Sequence, residues 1–105
     1  MAYERVRGTW HFITYDADEA ELLIKFCDNS HVQSYAYAKH TNKCSKTHWH
    51  FVFLFYHPIS LYQIAVLSNT IVSYPVSIKG SFADNLRYLK SKGDVITNGR
   101  LSKTI

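Results

Sequence analysis

Two histidines one residue apart, His48 and His50, lie in a run of strand-forming residues, Thr47-His48-Trp49-His50-Phe51-Val52-Phe53-Leu54-Phe55. Alternate side chains of an extended strand share a face. The two imidazoles therefore point the same way, while Trp49, Phe51, Phe53 and Phe55 point the other. Imidazole is the commonest metal-binding side chain. A third, His40, ends the apolar stretch Val32-Gln33-Ser34-Tyr35-Ala36-Tyr37-Ala38-Lys39, and the polar segment Thr41-Asn42-Lys43-Cys44-Ser45-Lys46-Thr47 separates it from His48. If that segment joins two antiparallel strands, His40 stands across the hairpin from His48 and His50. Three imidazoles then converge on one ion and leave its other positions open, which suits catalysis better than structure. A site of nitrogen and water ligands accepts Mg²⁺ or Mn²⁺; recruiting Cys44 as a fourth ligand would instead close a structural zinc site.

Tyrosine and lysine four residues apart, Tyr88 and Lys92, share a face of a helix that Ser81 and Asp84 cap and Gly93 should stop. Phe82, Leu86 and Leu89 follow an i, i+4, i+7 spacing and form its buried stripe; Asp84 lies on the Tyr88 face. Taken alone, Tyr88 reads as a half-buried helix tyrosine. A phenol, with a pKa of about 10, is a poor nucleophile at neutral pH. It becomes competent when a cation polarises its target and a nearby lysine offsets the charge that develops. Tyrosine, lysine and an ion on three histidines form a coherent set for phosphoryl transfer to an enzyme side chain.

These residues need a scaffold, and the patterning supplies one. Residues 7–15 alternate as a strand, with Trp10, Phe12 and Thr14 on one face and His11, Ile13 and Tyr15 on the other. Asp18, with Glu21 three residues on, opens a helix whose buried stripe is Leu22, Leu23 and Phe26. Residues 32–40 and 48–55 form the next two strands. A second helix follows Pro58, with Ser60 and Gln63 as a capping box and Ile59 and Ile64 as a hydrophobic staple. Residues 71–78 read as a fourth strand, with Pro75 marking an edge or a bulge. Residues 95–105 hold one more short strand. The order is βαββαβα(β). It predicts an α+β, ferredoxin-like fold with a central antiparallel sheet of about five strands and flanking helices. The third strand, apolar on both faces apart from its histidines, should be central.

The chain has 105 residues, 47% of them apolar and 19% charged, enough for one packed domain and too little charge for a disordered one. A net charge of +4 suits an anionic partner. Lys39, Lys43 and Lys46 cluster around the histidine hairpin, and Arg87, Lys90 and Lys92 form a second group. Eight tyrosines exceed what a core of this size requires, so some are available to stack on bases. Cys27 and Cys44 follow no disulfide framework, and no signal peptide or membrane span is visible, which points to an intracellular protein with reduced thiols.

In motif order, over residues 5–95, the chain resembles the HUH endonucleases, in particular rolling-circle replication initiators of small plasmids and single-stranded DNA viruses. Trp10-His11-Phe12-Ile13-Thr14-Tyr15 resembles the family's first motif, His48-Trp49-His50 its histidine–hydrophobic–histidine motif, and Arg87-Tyr88-Leu89-Lys90-Ser91-Lys92 the tyrosine motif of the single-tyrosine class. Viral members usually place the lysine three residues after the tyrosine, where this chain has Ser91. The Tyr-Leu-x-x-Lys form, and a histidine at the position of His40, are closer to plasmid initiators of Gram-positive type.

The resemblance implies metal-dependent, sequence-specific nicking and joining of single-stranded DNA at a replication origin, exposed as a hairpin or melted loop. Tyr88 would be the nucleophile, Lys92 its partner, with Lys90 the other candidate, and His40, His48 and His50 the ligands of Mn²⁺ or Mg²⁺. Arg5, Arg7, Thr14, Tyr15, Lys39, Arg87 and Lys90 are candidate DNA contacts. Residues 1–105 would be the single nuclease domain of a longer initiator, monomeric or weakly oligomeric, working with a fused or host helicase and host polymerase. The location would be the bacterial cytoplasm for a plasmid or phage protein and the host nucleus for a eukaryotic virus. Competing readings are a non-catalytic nucleic-acid-binding module of the same fold, a single-tyrosine transposase of the same superfamily and a small structural zinc domain.

Overall fold

The fold is organised around the hairpin that carries the histidines. In the computed structural model, which describes residues 6–41, 46–70, 74–76, 81–97 and 100–102, β2 (Val32–Thr41) and β3 (Thr47–Ser60) pair antiparallel with His40 opposite His48 and Ala38 opposite His50. On its other side β3 pairs antiparallel with β1 (Val6–Thr14), which sets Ile13 opposite His50 and His11 opposite Val52. β3 is thus central, as its two apolar faces require. Both β1 and β2 run antiparallel to β3, so they are parallel to each other. The helix between them, α1 (Ala17–Phe26), crosses over the intervening strand. α2 (Leu61–Ser68) makes the equivalent crossing from β3 to β4 (Tyr74–Val76), which pairs with β1. After α3 (Phe82–Lys90), β5 (Val95–Thr97) joins the far side of β2 and β6 (Arg100–Ser102) pairs with β5.

Among the described residues the result is an α+β domain with three helices and an antiparallel sheet ordered β4-β1-β3-β2-β5-β6. The described residues contain six strands rather than about five, because the tail folds into two short strands that pair with each other. Of the strand expected over residues 71–78, β4 is the described part, and Pro75 stands at the sheet edge opposite Phe12. There a missing backbone donor can face away from the ladder. No helix among the described residues is long and apolar enough to cross a membrane.

Local signals explain the helix ends. Ser60 and Gln63 form the capping box of α2: the Ser60 hydroxyl accepts from the Gln63 N–H at 3.1 Å, and Gln63 Oε1 accepts from the Ser60 N–H at 2.9 Å. Asn69 ends α2 in the left-handed region, φ 59°. Ser81 and Asp84 form the same box at α3. At α1 the cap is Asp16, not Asp18: Asp16 Oδ1 accepts from the Asp18 and Glu19 N–H groups at 2.8 and 3.2 Å. Asp18 sits in the first turn, where its charge favours the positive end of the helix.

Two cores flank the sheet. On one face α1 and α2 cover Trp10, Phe12, Phe51, Phe53 and Phe55 with Leu23, Phe26 and Ile64. Phe12, Phe51 and Phe53 are fully buried, each contributing roughly 1.5–3 kcal/mol of transfer free energy. Leu22, expected in the α1 stripe, is only half-buried; Ala20 takes its place. Cys27 is buried in this core, its thiol pushed up to about 12 by burial and then by Asp28. The opposite face carries the histidines. There α3 packs Leu89, Phe82 and Leu86 against Ala36, Ala38, Val52 and Val95. This second core joins the tyrosine helix to the histidine face.

Candidate metal centre and tyrosine helix

His40, His48 and His50 converge because a two-residue period on β3 meets a direct cross-strand partner on β2. One ligand atom from each ring lies within 4.8 Å of the others. Ring centroids are 5.6 Å apart for His40–His48, 4.8 Å for His40–His50 and 5.0 Å for His48–His50. Two nitrogens on one ion are separated by at most about 4 Å, twice a typical metal–nitrogen bond, so small side-chain rotations close the trio onto a cation. The donor set also asks for one. His40 Nε2 and His48 Nδ1 are buried with no hydrogen-bond partner, a costly state for polar atoms that coordination would relieve.

Electrostatics keep rings in the ligating form. The pKa of His50 is lowered from 6.5 to about 3, first by burial and then by His11, His40 and His48. That of His40 is lowered by burial, then by His48 and Lys92. A neutral imidazole offers a lone pair; a protonated one does not. Cys44 lies outside the described residues, and within them the metal-competent cluster is the three histidines alone.

Tyr88 is half exposed on α3. Lys92, past the Ser91 C-cap, places its Nζ 5.5 Å from the Tyr88 ring centroid, and its charge reaches His40 across the site. Lys92 is thus the link between the tyrosine helix and the histidine face, and of the two candidate lysines it is the one seated over Tyr88. Asp84, on the same face as Tyr88, is held by the cap at Ser81 and by Arg87 at 3.3 Å; the Ser81 hydrogen bonds are the main cause of its lowered pKa.

The candidate DNA contacts divide by face. Tyr15, half exposed, has its ring 5.3 Å from the His48 ring, tilted by 37°, and borders the trio directly. Arg87 and Lys90 lie on α3. Arg7 and Lys39 belong to the other side of the sheet, over the rings of Trp10 at 4.9 Å and Trp49 at 5.5 Å. Thr14 is buried, and its hydroxyl accepts from the Asp16 N–H at 3.1 Å, so it serves the turn into α1. Arg5 lies outside the described residues.

Two residues of the centre escaped the sequence reading. His11 is buried, with its Nε2 3.1 Å from His50 Nδ1. Asn85, buried on α3, hydrogen-bonds the His11 side chain and donates from Nδ2 to the Ser81 carbonyl at 2.8 Å. The available signal was the alternation of β1, which puts His11 on one face with Ile13 and Tyr15; which strand that face would adjoin was not legible. A groove of about 620 Å³ between the end of β3 and α2, lined by residues including Tyr56, His57 and Tyr62, contains none of these side chains.

Searches for a matching protein-family model, a curated relative or a similar solved structure found none.

Proposed function

We propose that this chain is a ferredoxin-like HUH nuclease domain of a rolling-circle replication initiator, closest to small plasmid initiators of Gram-positive type, which nicks and rejoins single-stranded DNA through Tyr88. One observation carries the reading. Three imidazoles, two of them with an orphaned buried nitrogen, converge on the sheet face against which the helix bearing Tyr88 and Lys92 packs. The split β-α-β order, with each of the first two helices crossing one intervening strand, supports the fold assignment.

His40, His48 and His50 would hold Mn²⁺ or Mg²⁺, which when bound polarises the non-bridging oxygens of a phosphodiester. Tyr88 Oη attacks phosphorus and loses its proton; the bond to the 3′-oxygen breaks, and that oxygen leaves as a free 3′-hydroxyl. The new bond is a 5′-phosphotyrosine. It conserves the energy of the diester, so rejoining by attack of a 3′-hydroxyl needs no nucleotide hydrolysis. Lys92 offsets negative charge at the phenolate and phosphate. Tyr15, beside His48, offers a ring on which a base next to the scissile phosphate can stack.

The test is incubation with a random single-stranded oligonucleotide pool and Mn²⁺, followed by a denaturing gel. Wild type should yield a protein–DNA band. Tyr88→Phe should bind DNA and give no band, and His50→Ala should reduce its formation by at least about a hundredfold. A band of wild-type intensity from Tyr88→Phe refutes the nucleophile; one from His50→Ala refutes the ligand.

A further inference from the structure

The centre is continued by a chain of side chains that no ligand role explains: Ser81 carbonyl, Asn85, His11, His50. Each link constrains the next. Asn85 Nδ2 donates one of its two N–H groups to the Ser81 carbonyl at 2.8 Å, which anchors the amide at the start of α3. Asn85 bonds the His11 ring. His11 Nε2 is already engaged by His50 Nδ1 at 3.1 Å, and a ring nitrogen has one in-plane hydrogen-bonding position, so Nδ1 is the His11 atom left for Asn85. The Asn85 bond favours the protonated ring, which marks Oδ1 as its acceptor, and an Oδ1 acceptor requires His11 Nδ1 to carry the proton. Neutral His11 then has a bare Nε2, which can only accept. His50 must be the donor in the 3.1 Å contact, its proton on Nδ1 and its Nε2 lone pair free.

From this, and resting on the metal site proposed above, we propose that Asn85 and His11 are positioning residues that lock His50 in the Nδ1–H tautomer and aim its Nε2 at the ion. The need is specific to His50. A free histidine prefers its proton on Nε2, the wrong atom for a ligand whose Nδ1 faces the protein. An imidazole partner on the distal nitrogen is an uncommon solution; a carboxylate or backbone carbonyl is usual. Here it suits the surroundings. His11 and Asn85 are buried, at 5% and 8% exposure, and a neutral partner avoids placing a full charge there. Because the chain starts at Ser81, the N-cap of α3, it also ties the orientation of a ligand on the central strand to the helix that carries Tyr88.

The test reads tautomers directly. Nitrogen-15 NMR of the metal-free wild type at neutral pH should show His50 protonated on Nδ1 with Nε2 bare, and Mn²⁺ titration followed by electron paramagnetic resonance should give its dissociation constant. Asn85→Leu should shift His50 toward the Nε2–H tautomer and weaken Mn²⁺ binding about 10- to 100-fold, the usual effect of losing such a partner. His11→Leu should do the same. His11→Gln, which keeps an acceptor, should restore most of the affinity. Wild-type His50 found as Nε2–H while Mn²⁺ binds overturns the relay and leaves the metal site standing. An Nδ1–H tautomer with no Mn²⁺ binding overturns the metal site and the positioning role with it. The wild-type spectrum decides even if a variant fails to fold.

Discussion

A histidine ligates only as a neutral ring, and the residue-scale chemistry of the centre favours that form. Burial and three neighbouring imidazoles lower His50 to about 3; burial, His48 and Lys92 lower His40, and burial lowers His11 against the opposing bond from Asn85. These folded values lie below the ordinary 6.5. Above pH 6.5 both folded and unfolded chains hold the rings neutral, and the full stability is present. As pH falls below 6.5 the unfolded chain takes up protons that the folded one refuses, so stability is lost, down to about pH 3 for His50. The metal-free protein should therefore lose about 1 kcal/mol per pH unit from His50 between pH 6 and 4.5. The urea midpoint measured across that range checks this, and His50→Gln should flatten the slope; a wild-type midpoint independent of pH would contradict it. The trio itself was legible because it depends on two local facts, strand alternation and one hairpin. His11 was not, because its partner is set by which strand neighbours β3 and in what register, and both are non-local.

At the scale of elements, α3 carries Tyr88, and its N-terminus is tied by three hydrogen bonds. The Ser81 hydroxyl accepts from the Asp84 N–H at 3.2 Å, Asp84 returns a bond to the Ser81 N–H at 2.9 Å, and the Ser81 carbonyl receives Asn85. Ser81→Ala should cost about 1 kcal/mol, the worth of a typical N-cap. Chemical denaturation would measure the loss, and unchanged stability would show that the cap does not hold this helix. Both serine capping boxes were readable because a box is written in four consecutive residues. The start of α1 was misplaced by two residues: Asp16 and Asp18 are both suitable caps, and Glu21 favoured the wrong one. Asn85 was not legible because it sits within the stripe that Phe82, Leu86 and Leu89 mark as apolar, and a polar residue there gains a role only through its partner on β1. Leu89 is fully buried, while Phe82 and Leu86 are half-buried beside it.

The molecule as a whole places an aromatic core and the histidine cluster on opposite faces of a single sheet. One face is an aromatic core under α1 and α2; the other presents the imidazoles beside α3. This division explains why basic residues that looked equivalent in sequence are not. Arg7 and Lys39 rest on the tryptophans of the aromatic face, whereas Lys92 sits over Tyr88 on the histidine face. The alternation of the strands conveyed the α+β class and the central position of β3. The strand over 71–78 was readable, but the tail was read as one short strand where β5 and β6 form a pair; the described part of each is three residues, and so few residues carry almost no periodic signal. The central claim is that the exposed end of β2 and β3 is built to hold a cation beside the tyrosine helix. Anomalous scattering from a crystal soaked in Mn²⁺ tests it most directly. The prediction is a single strong peak within coordination distance of His40, His48 and the Nε2 of His50; no peak there at saturating Mn²⁺, with the three rings ordered, would contradict it.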